Sequence, residues 1–267
     1  MTENPRPVAL TIAGSDSGGG AGIQADIKTF HAFGVFGTSA VTAVTAQNTL
    51  GVASVHPVPL GTVRAQIESV VSDLRPDCVK SGMLATRRLV ETVADAVGSA
   101  GLRPYVLDPV MVATSGDRLL EPAAVTSMAA RLIPLASLVT PNLEEARILT
   151  GLPVEDVEGM GNAARQLVEM GADAALVKGG HGTGAEVVDL LFDGRREHLW
   201  RRSRIETRNT HGTGCTLSAA CAAGLSRGAE LARAVDAALQ FVERAIRSAP
   251  GIGGGHGPLN HFAEKPF

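Results

Sequence analysis

The chain has 267 residues, 45% of them apolar but only 3% aromatic, and 31 are glycine against a usual ~7%. Lys plus Arg number 24 and Asp plus Glu 27, a formal charge of −3 that leaves no basic footprint for nucleic acid. This hydrophobicity excludes a disordered chain, and no uninterrupted apolar run approaches the ~18 residues of a membrane span.

In chain order, a short apolar strand is predicted over residues 8–12, followed by a glycine-rich loop and a helix over 22–33 whose apolar residues recur at three and four spacing. Residues 38–45 and 52–58 read as neighbouring strands. Strands over 78–80, 105–107, 138–140 and 174–177 alternate with helices over 62–74, 87–97, 122–133 and 156–170. Such alternation predicts one domain built on a doubly wound, mostly parallel sheet. Residues 187–192 and 197–201 flank Asp193-Gly194 and predict a β-hairpin at a sheet edge. Its arginines, Arg195, Arg196, Arg201, Arg202 and Arg204, are either gatekeeper charges on a solvated edge or an anion-binding patch. Ala-rich helices over 213–225 and 230–247 should cover the sheet. The stretch 251–261 is glycine-rich and is either an ordered loop or a frayed tail.

The opening residues Met1-Thr-Glu-Asn-Pro-Arg-Pro7 do not have the basic and apolar regions of a signal peptide. Cys78, Cys215 and Cys221 are odd in number and form no C-x-x-C pair, which fits a reducing compartment. A cytoplasmic protein is expected.

Ligands in open α/β sheets bind where strand carboxyl ends meet such loops. The first loop, Ala13-Gly-Ser-Asp-Ser-Gly-Gly-Gly-Ala-Gly22, lacks the G-x-G-x-x-G spacing, and no P-loop motif occurs in the chain. Asp26 follows one turn into the helix, as a ligand-facing group or as a charge complementing the helix start. The second turn, Asn209-Thr-His-Gly-Thr-Gly-Cys215, runs straight into a helix, so its backbone N–H groups should form an anion hole suited to a transferring phosphoryl group. Cys215 lies in the first turn of that helix, where a thiolate is favoured, although a small buried residue is the other reading. His211 flanks this hole, whereas Cys78 and Cys221 read as core residues. Strand ends also deliver Asp108, Lys178, and Asn142 with Glu145 in an N-x-x-E spacing. Asp108 and Glu145 could hold magnesium directly or through water, with Lys178 neutralising phosphate.

These motifs, with Thr45-Ala-Gln-Asn-Thr49, Val79-Lys-Ser-Gly-Met-Leu84, Asp108-Pro-Val-Met111, Thr140-Pro-Asn142, Val177-Lys-Gly-Gly-His181 and the tail Gly257-Pro-Leu-Asn-His261, resemble the ribokinase-like superfamily. Within it the chain is most similar to the hydroxymethylpyrimidine and phosphomethylpyrimidine kinases of thiamine biosynthesis, over nearly its whole length. The resemblance implies a three-layer α/β/α sandwich with a mostly parallel central sheet and a small antiparallel edge or flap. It also implies ATP and Mg2+ as cofactors, the hydroxymethylpyrimidine and its monophosphate as substrates, and a homodimer. Pyridoxal or pyridoxine phosphorylation on the same fold, or a non-catalytic pyrimidine-binding regulator, are the alternatives. Cys215 stands where the wider superfamily carries the Asp of G-A-G-D, and the resemblance assigns it as the base, with Gly212, Thr213, Gly214, Lys178 and Asp26 as further catalytic residues. Gln47, Gly14, Met83 and Val110 are implied around the ring, and Asp108, Asn142, Lys178, Thr210, Gly212 and Gly214 around ATP and its phosphates. Asp26 and Lys178 are expected to meet near those phosphates. Ser81 departs from the pattern, with little expected consequence.

Overall fold

The computed structural model describes residues 6–111, 120–180 and 184–264. In chain order the elements are β1 (Val8–Ser15), α1 (Gly22–Ala32), β2 (Phe36–Asn48), β3 (Gly51–Pro57), α2 (Leu60–Asp73), β4 (Cys78–Ser81), α3 (Arg87–Ser99), β5 (Tyr105–Leu107), α4 (Pro122–Arg131), β6 (Leu138–Val139), α5 (Leu143–Thr150), α6 (Val157–Glu169), β7 (Ala175–Lys178), β8 (Glu186–Phe192), β9 (Glu197–Ser203), α7 (Thr213–Ser226) and α8 (Leu231–Arg247). The strands form one nine-stranded sheet in the order β3-β2-β1-β4-β5-β6-β7-β8-β9. Its six central strands are parallel, and β3, β8 and β9 are antiparallel.

Because successive strand residues face opposite sides, each buried strand feeds two cores. Leu10, Ile12, Val79, Leu107, Val139 and Val177 pack beneath α2 to α6. Ala9, Cys78, Val106, Leu138 and Leu176 pack beneath α1, α7 and α8. The three layers expected from the resemblance are present, and α7 and α8 cover the sheet. With Ala along both and Gly224 in α7, they approach closely: a Cβ on Gly224 would lie 2.9 Å from the Ala234 methyl.

Three segments differ from the sequence reading. The span expected to carry only the polar pair Asn142 and Glu145 contains α5. At eight residues it is too short for apolar periodicity to reveal. Strand β2 runs past Thr45 to Asn48, and its ladder with β3 shifts register between Ala46 and Gln47. Such an irregularity re-aims the side chain beside it. The C-terminal stretch is ordered: Pro258 bridges to His211, and Leu259 is buried in the α7–α8 core. The hairpin arginines act locally, Arg202 on Asp189, Arg201 on Glu186 and Arg204 on the Gly180 and Gly184 carbonyls, which favours the edge reading over an anion patch.

His261 anchors that tail. Its ring Nε2 lies 3.0 Å from the Thr216 hydroxyl in α7, and burial, with the Lys28 charge, pushes its pKa down to about 4 from 6.5. A group depressed in the fold supplies stability above its unfolded value and loses it as pH falls through the folded one. Lowering the pH from 7.5 to 5 should therefore cost the protein about 1–2 kcal/mol more than it costs His261→Gln. Urea midpoints at the two pH values measure this, and equal losses would refute it.

Candidate active site

The strand face that carries Ala9, Cys78, Val106, Leu138 and Leu176 ends, two residues further along each strand, in Thr11, Lys80, Asp108, Thr140 and Lys178. All are buried at the carboxyl end of the sheet, beneath the first turns of α1 and α7. The period-two rule thus turns an apolar row into a polar one at the point where α7 begins.

Two ion pairs fill this polar row. Lys80 Nζ donates to both Asp26 oxygens at 3.0 and 2.9 Å, and the Thr11 hydroxyl donates to Asp26 at 2.6 Å. Lys178 Nζ donates to Asp108 at 3.0 Å, and Asp108 also accepts from Ser218 at 3.0 Å and Thr140 at 3.3 Å. The expected meeting of Asp26 with Lys178 is therefore corrected: Asp26, reached from α1 on the β1 and β4 side, takes Lys80 as its partner. Burial drives the Asp26 pKa up despite Lys80. For Asp108, burial is outweighed by Lys178 and then Lys80, and its carboxyl is held below the usual range.

Above this layer lie the two glycine-rich turns. Asp16 organises the first by accepting from the Gly18, Gly20 and Ala21 amides at 2.8, 3.0 and 2.8 Å. It also meets His211 Nε2 of the second turn at 2.8 Å, which ties the two turns together. Burial opposes the Asp16 charge, but His211 and those amides outweigh it and lower its pKa. Gly212, at φ +83°, is the N-cap of α7, and a Cβ there would lie 1.8 Å from the Gly20 carbonyl oxygen. The Thr213 amide is used on the Thr210 carbonyl, whose oxygen also accepts from the Thr213 hydroxyl. The Gly214 and Cys215 amides have no acceptor among the described residues. Lys178 Nζ sits 3.3 Å from where a Gly214 Cβ would be, so its ammonium shares that opening.

The helix start was expected to favour a Cys215 thiolate, but burial prevails and pushes the thiol up to about 11, even though Lys80 and the Gly22 amide favour the charged form. Asn142 and Glu145 form a capping box: the Asn142 oxygen accepts from the Glu145 amide at 2.9 Å, and the Glu145 carboxylate accepts from the Asn142 amide at 2.8 Å. Glu145 also faces the Met111 amide at 3.4 Å. Burial pushes its pKa up to about 7, Lys178 opposing and Asp108 adding to the rise. Among the described residues no three His, Cys, Asp or Glu side chains converge as a metal site.

The Met83 methyl lies 2.6 Å from where a Gly14 Cβ would be, so the flexible end of Met83 packs against the Gly14 backbone and would have to shift to admit a side chain there. Gln47 accepts from the Thr45 hydroxyl at 3.3 Å, and its amide nitrogen lies 3.5 Å from His211 Nε2. Gln47 also lines a cavity of about 570 Å³ at the flap, while one of about 470 Å³ along α6 shares no residue with the site. Val110, whose amide turns back onto the Asp108 carbonyl, borders residues 112–119, which, like His181, lie outside the described residues. Ser81 faces away from the polar row and shares a 2.6 Å hydrogen bond with Tyr105.

Sequence reasoning assigned no role to Lys80, Thr11, Ser218 or Asp16. A lysine in an otherwise apolar central strand was a usable signal for the first, since it demands a buried partner.

An open α/β sheet with bare helix-start amides, a buried ammonium beside them and glycine turns pressed together defines a ribokinase-like small-molecule kinase. The comparisons agree: the phosphomethylpyrimidine kinase profile matches residues 16–260, and on that match the chain belongs to the phosphomethylpyrimidine kinase family. It is 50% identical over 258 residues to the hydroxymethylpyrimidine/phosphomethylpyrimidine kinase of Bacillus subtilis (strain 168), covering 96% of this chain and 95% of that one. A Bacillus subtilis pyridoxal kinase solved with ADP superposes at a TM-score of 0.90, with 38% identity, covering 97% and 98% of the two chains. A phosphomethylpyrimidine kinase from Clostridium difficile 630 gives 0.82 at 38% identity, covering 90% and 100%. Among the described residues no helix is long and apolar enough to cross a membrane.

Proposed function

We propose that this chain, as a single kinase domain, transfers the γ-phosphoryl group of ATP to 4-amino-5-hydroxymethyl-2-methylpyrimidine, and then a second one to the resulting monophosphate, in thiamine biosynthesis. A cytoplasmic homodimer is the proposed setting. One observation supports this most: the Gly214 and Cys215 amides, which have no acceptor among the described residues, start α7 beside the Lys178 ammonium, in the turn that also carries Cys215. Phosphoryl transfer asks for positioning and charge stabilisation more than for covalent chemistry. The substrate hydroxymethyl oxygen forms the new P–O bond, the bond to the ADP oxygen breaks, and the hydroxyl proton passes to Cys215 as its thiolate, the minor form of a thiol pushed up to about 11, whose own proton has first left to solvent. Lys178 and the two amides would hold the phosphoryl oxygens, and Thr210 borders the same turn.

Asp108 and Glu145 suit Mg2+ held partly by water and phosphate oxygens. Burial, and to a smaller extent the Asp108 charge, raises the Glu145 pKa to about 7 against the pull of Lys178. Magnesium would supply neutralisation of phosphate charge. Asn142, whose oxygen caps α5, would reach ATP only through its amide nitrogen. Asp26, beneath the site, contributes through Lys80.

Gln47 presents both a donor and an acceptor, which matches an aminopyrimidine edge. Gln47→Ala should weaken pyrimidine binding about tenfold or more. Calorimetric titration checks this, and an unchanged dissociation constant removes Gln47 from recognition. The reaction itself is tested by mass analysis of products after incubation with the hydroxymethylpyrimidine, ATP and magnesium. Singly and doubly phosphorylated pyrimidine are expected. Rapid phosphorylation of pyridoxal with none of the pyrimidine would overturn the substrate assignment, and no consumption of ATP with either ring would indicate a binding protein.

A further inference from the structure

Two neighbours of the Gln47 amide have their hydrogen-bonding roles fixed by other partners. Asp16, only 2% exposed, accepts from three backbone amides, so its carboxylate is an acceptor only, and the proton it shares with His211 at 2.8 Å sits on the imidazole Nε2. The ring is held in place: its Cδ2 lies 2.5 Å from where a Gly20 Cβ would be, and the His211 backbone amide donates to the Gly257 carbonyl at 3.1 Å. On the other side, Thr45 Oγ1 gives its one proton to the Ser15 carbonyl at 2.7 Å. The longer 3.3 Å approach to the Gln47 oxygen competes for that proton and loses. His211 therefore offers Gln47 a donor, and Thr45 offers it an acceptor. With the amide nitrogen toward His211 at 3.5 Å, donor faces donor. Turning the amide half a revolution about its last bond fills the same space and pairs both ends, so the surrounding network decides the orientation.

We propose that the Asp16–His211 and Ser15–Thr45 bonds lock the Gln47 amide with its oxygen toward His211 and its nitrogen toward Thr45, and that this lock makes the site select an amino-substituted ring over its oxo counterpart. A 4-aminopyrimidine edge presents a donor beside an acceptor nitrogen, whereas the 4-oxo ring presents the reverse, an acceptor beside a ring N–H. A glutamine free to turn over serves both; a locked one serves only one. The sense of the selection follows from the turn that carries both His211 and Cys215. The 5-hydroxymethyl group has to reach that turn, so the neighbouring 4-position falls on the His211 side, where the locked oxygen accepts from an amine. His211 is thus a positioning residue, acting on the ring only through Gln47. The inference rests on the reading of Gln47 as the ring contact, and its test separates the two.

Binding of 4-amino-5-hydroxymethyl-2-methylpyrimidine and of its 4-oxo analogue to the full-length protein is measured by calorimetric titration. The parent is expected to prefer the amino ring about thirtyfold, since the reversed edge leaves buried donors and acceptors unpaired. His211→Leu should bring that ratio to within about threefold, while His211→Gln, which keeps an N–H at the same reach, should retain it. A loss of structure alone would weaken both rings alike and leave the ratio unchanged. That result, like a parent ratio already within about threefold, overturns the proposal. Loss of the ratio in both His211 variants assigns it to the shape of the imidazole and overturns it too. Where His211→Leu does not fold, Thr45→Val decides: the ratio should fall about threefold or more, and an unchanged ratio refutes the lock. A ratio lost in Gln47→Ala but kept in His211→Leu overturns this proposal alone, whereas one that survives Gln47→Ala also removes Gln47 from recognition.

Discussion

Gly212→Ala is expected to lower kcat at least a hundredfold. Two costs combine at this residue. The backbone stands at φ +83°, where a side chain costs about 1–2 kcal/mol. The added methyl would also fall 1.8 Å from the Gly20 carbonyl oxygen, which belongs to a turn that Asp16 clamps through three amides. A flexible side chain could rotate away, but here backbone meets backbone, so the start of α7 has to move. The Gly214 and Cys215 amides then lose their aim, and loss of one preorganised donor at a reacting oxygen typically costs 10²–10³ in rate. Gly228→Ala is the control, because Gly228 has a similar φ of +77° with nothing within 4 Å of the added methyl. It should lose about 1 kcal/mol in urea unfolding and retain its turnover. A kcat for Gly212→Ala within threefold of the parent would show that the turn does not hold the phosphoryl group.

Cys215→Ala should lower turnover at least tenfold, since general bases contribute roughly 10² to 10⁴, while pyrimidine affinity stays within a few-fold. The methyl removes the proton acceptor but leaves the helix start and its amides in place, so binding and chemistry separate. Single-turnover rates and equilibrium titration measure the two sides. Near-normal turnover would mean that the amides and Lys178 carry the transfer without a base at position 215.

The alternation of strands and helices was legible because each buried strand is a short apolar run and most helices are long enough to repeat an apolar stripe. Helix α5 was not, and the same two residues explain why: Asn142 and Glu145 read as polar ligands in sequence, yet their three-residue spacing also builds a capping box. The helix-start hole was legible from Gly212-Thr-Gly-Cys215 alone, since bare amides at a helix start are a local property. The protonation of Cys215 was not, because burial by distant elements outweighs the local helix start.

By itself the sequence determined the strand faces, the glycine turns and the small-residue helices, all set by neighbours a few positions apart. Only the tertiary structure decided which charges meet. Asp26 and Lys80 are 54 positions apart, and Lys178 and Asp108 are 70 apart. Strand order, and for Asp26 the seating of α1 on the sheet, brings each pair within hydrogen-bond reach, and in a buried layer that distance decides which charges are held.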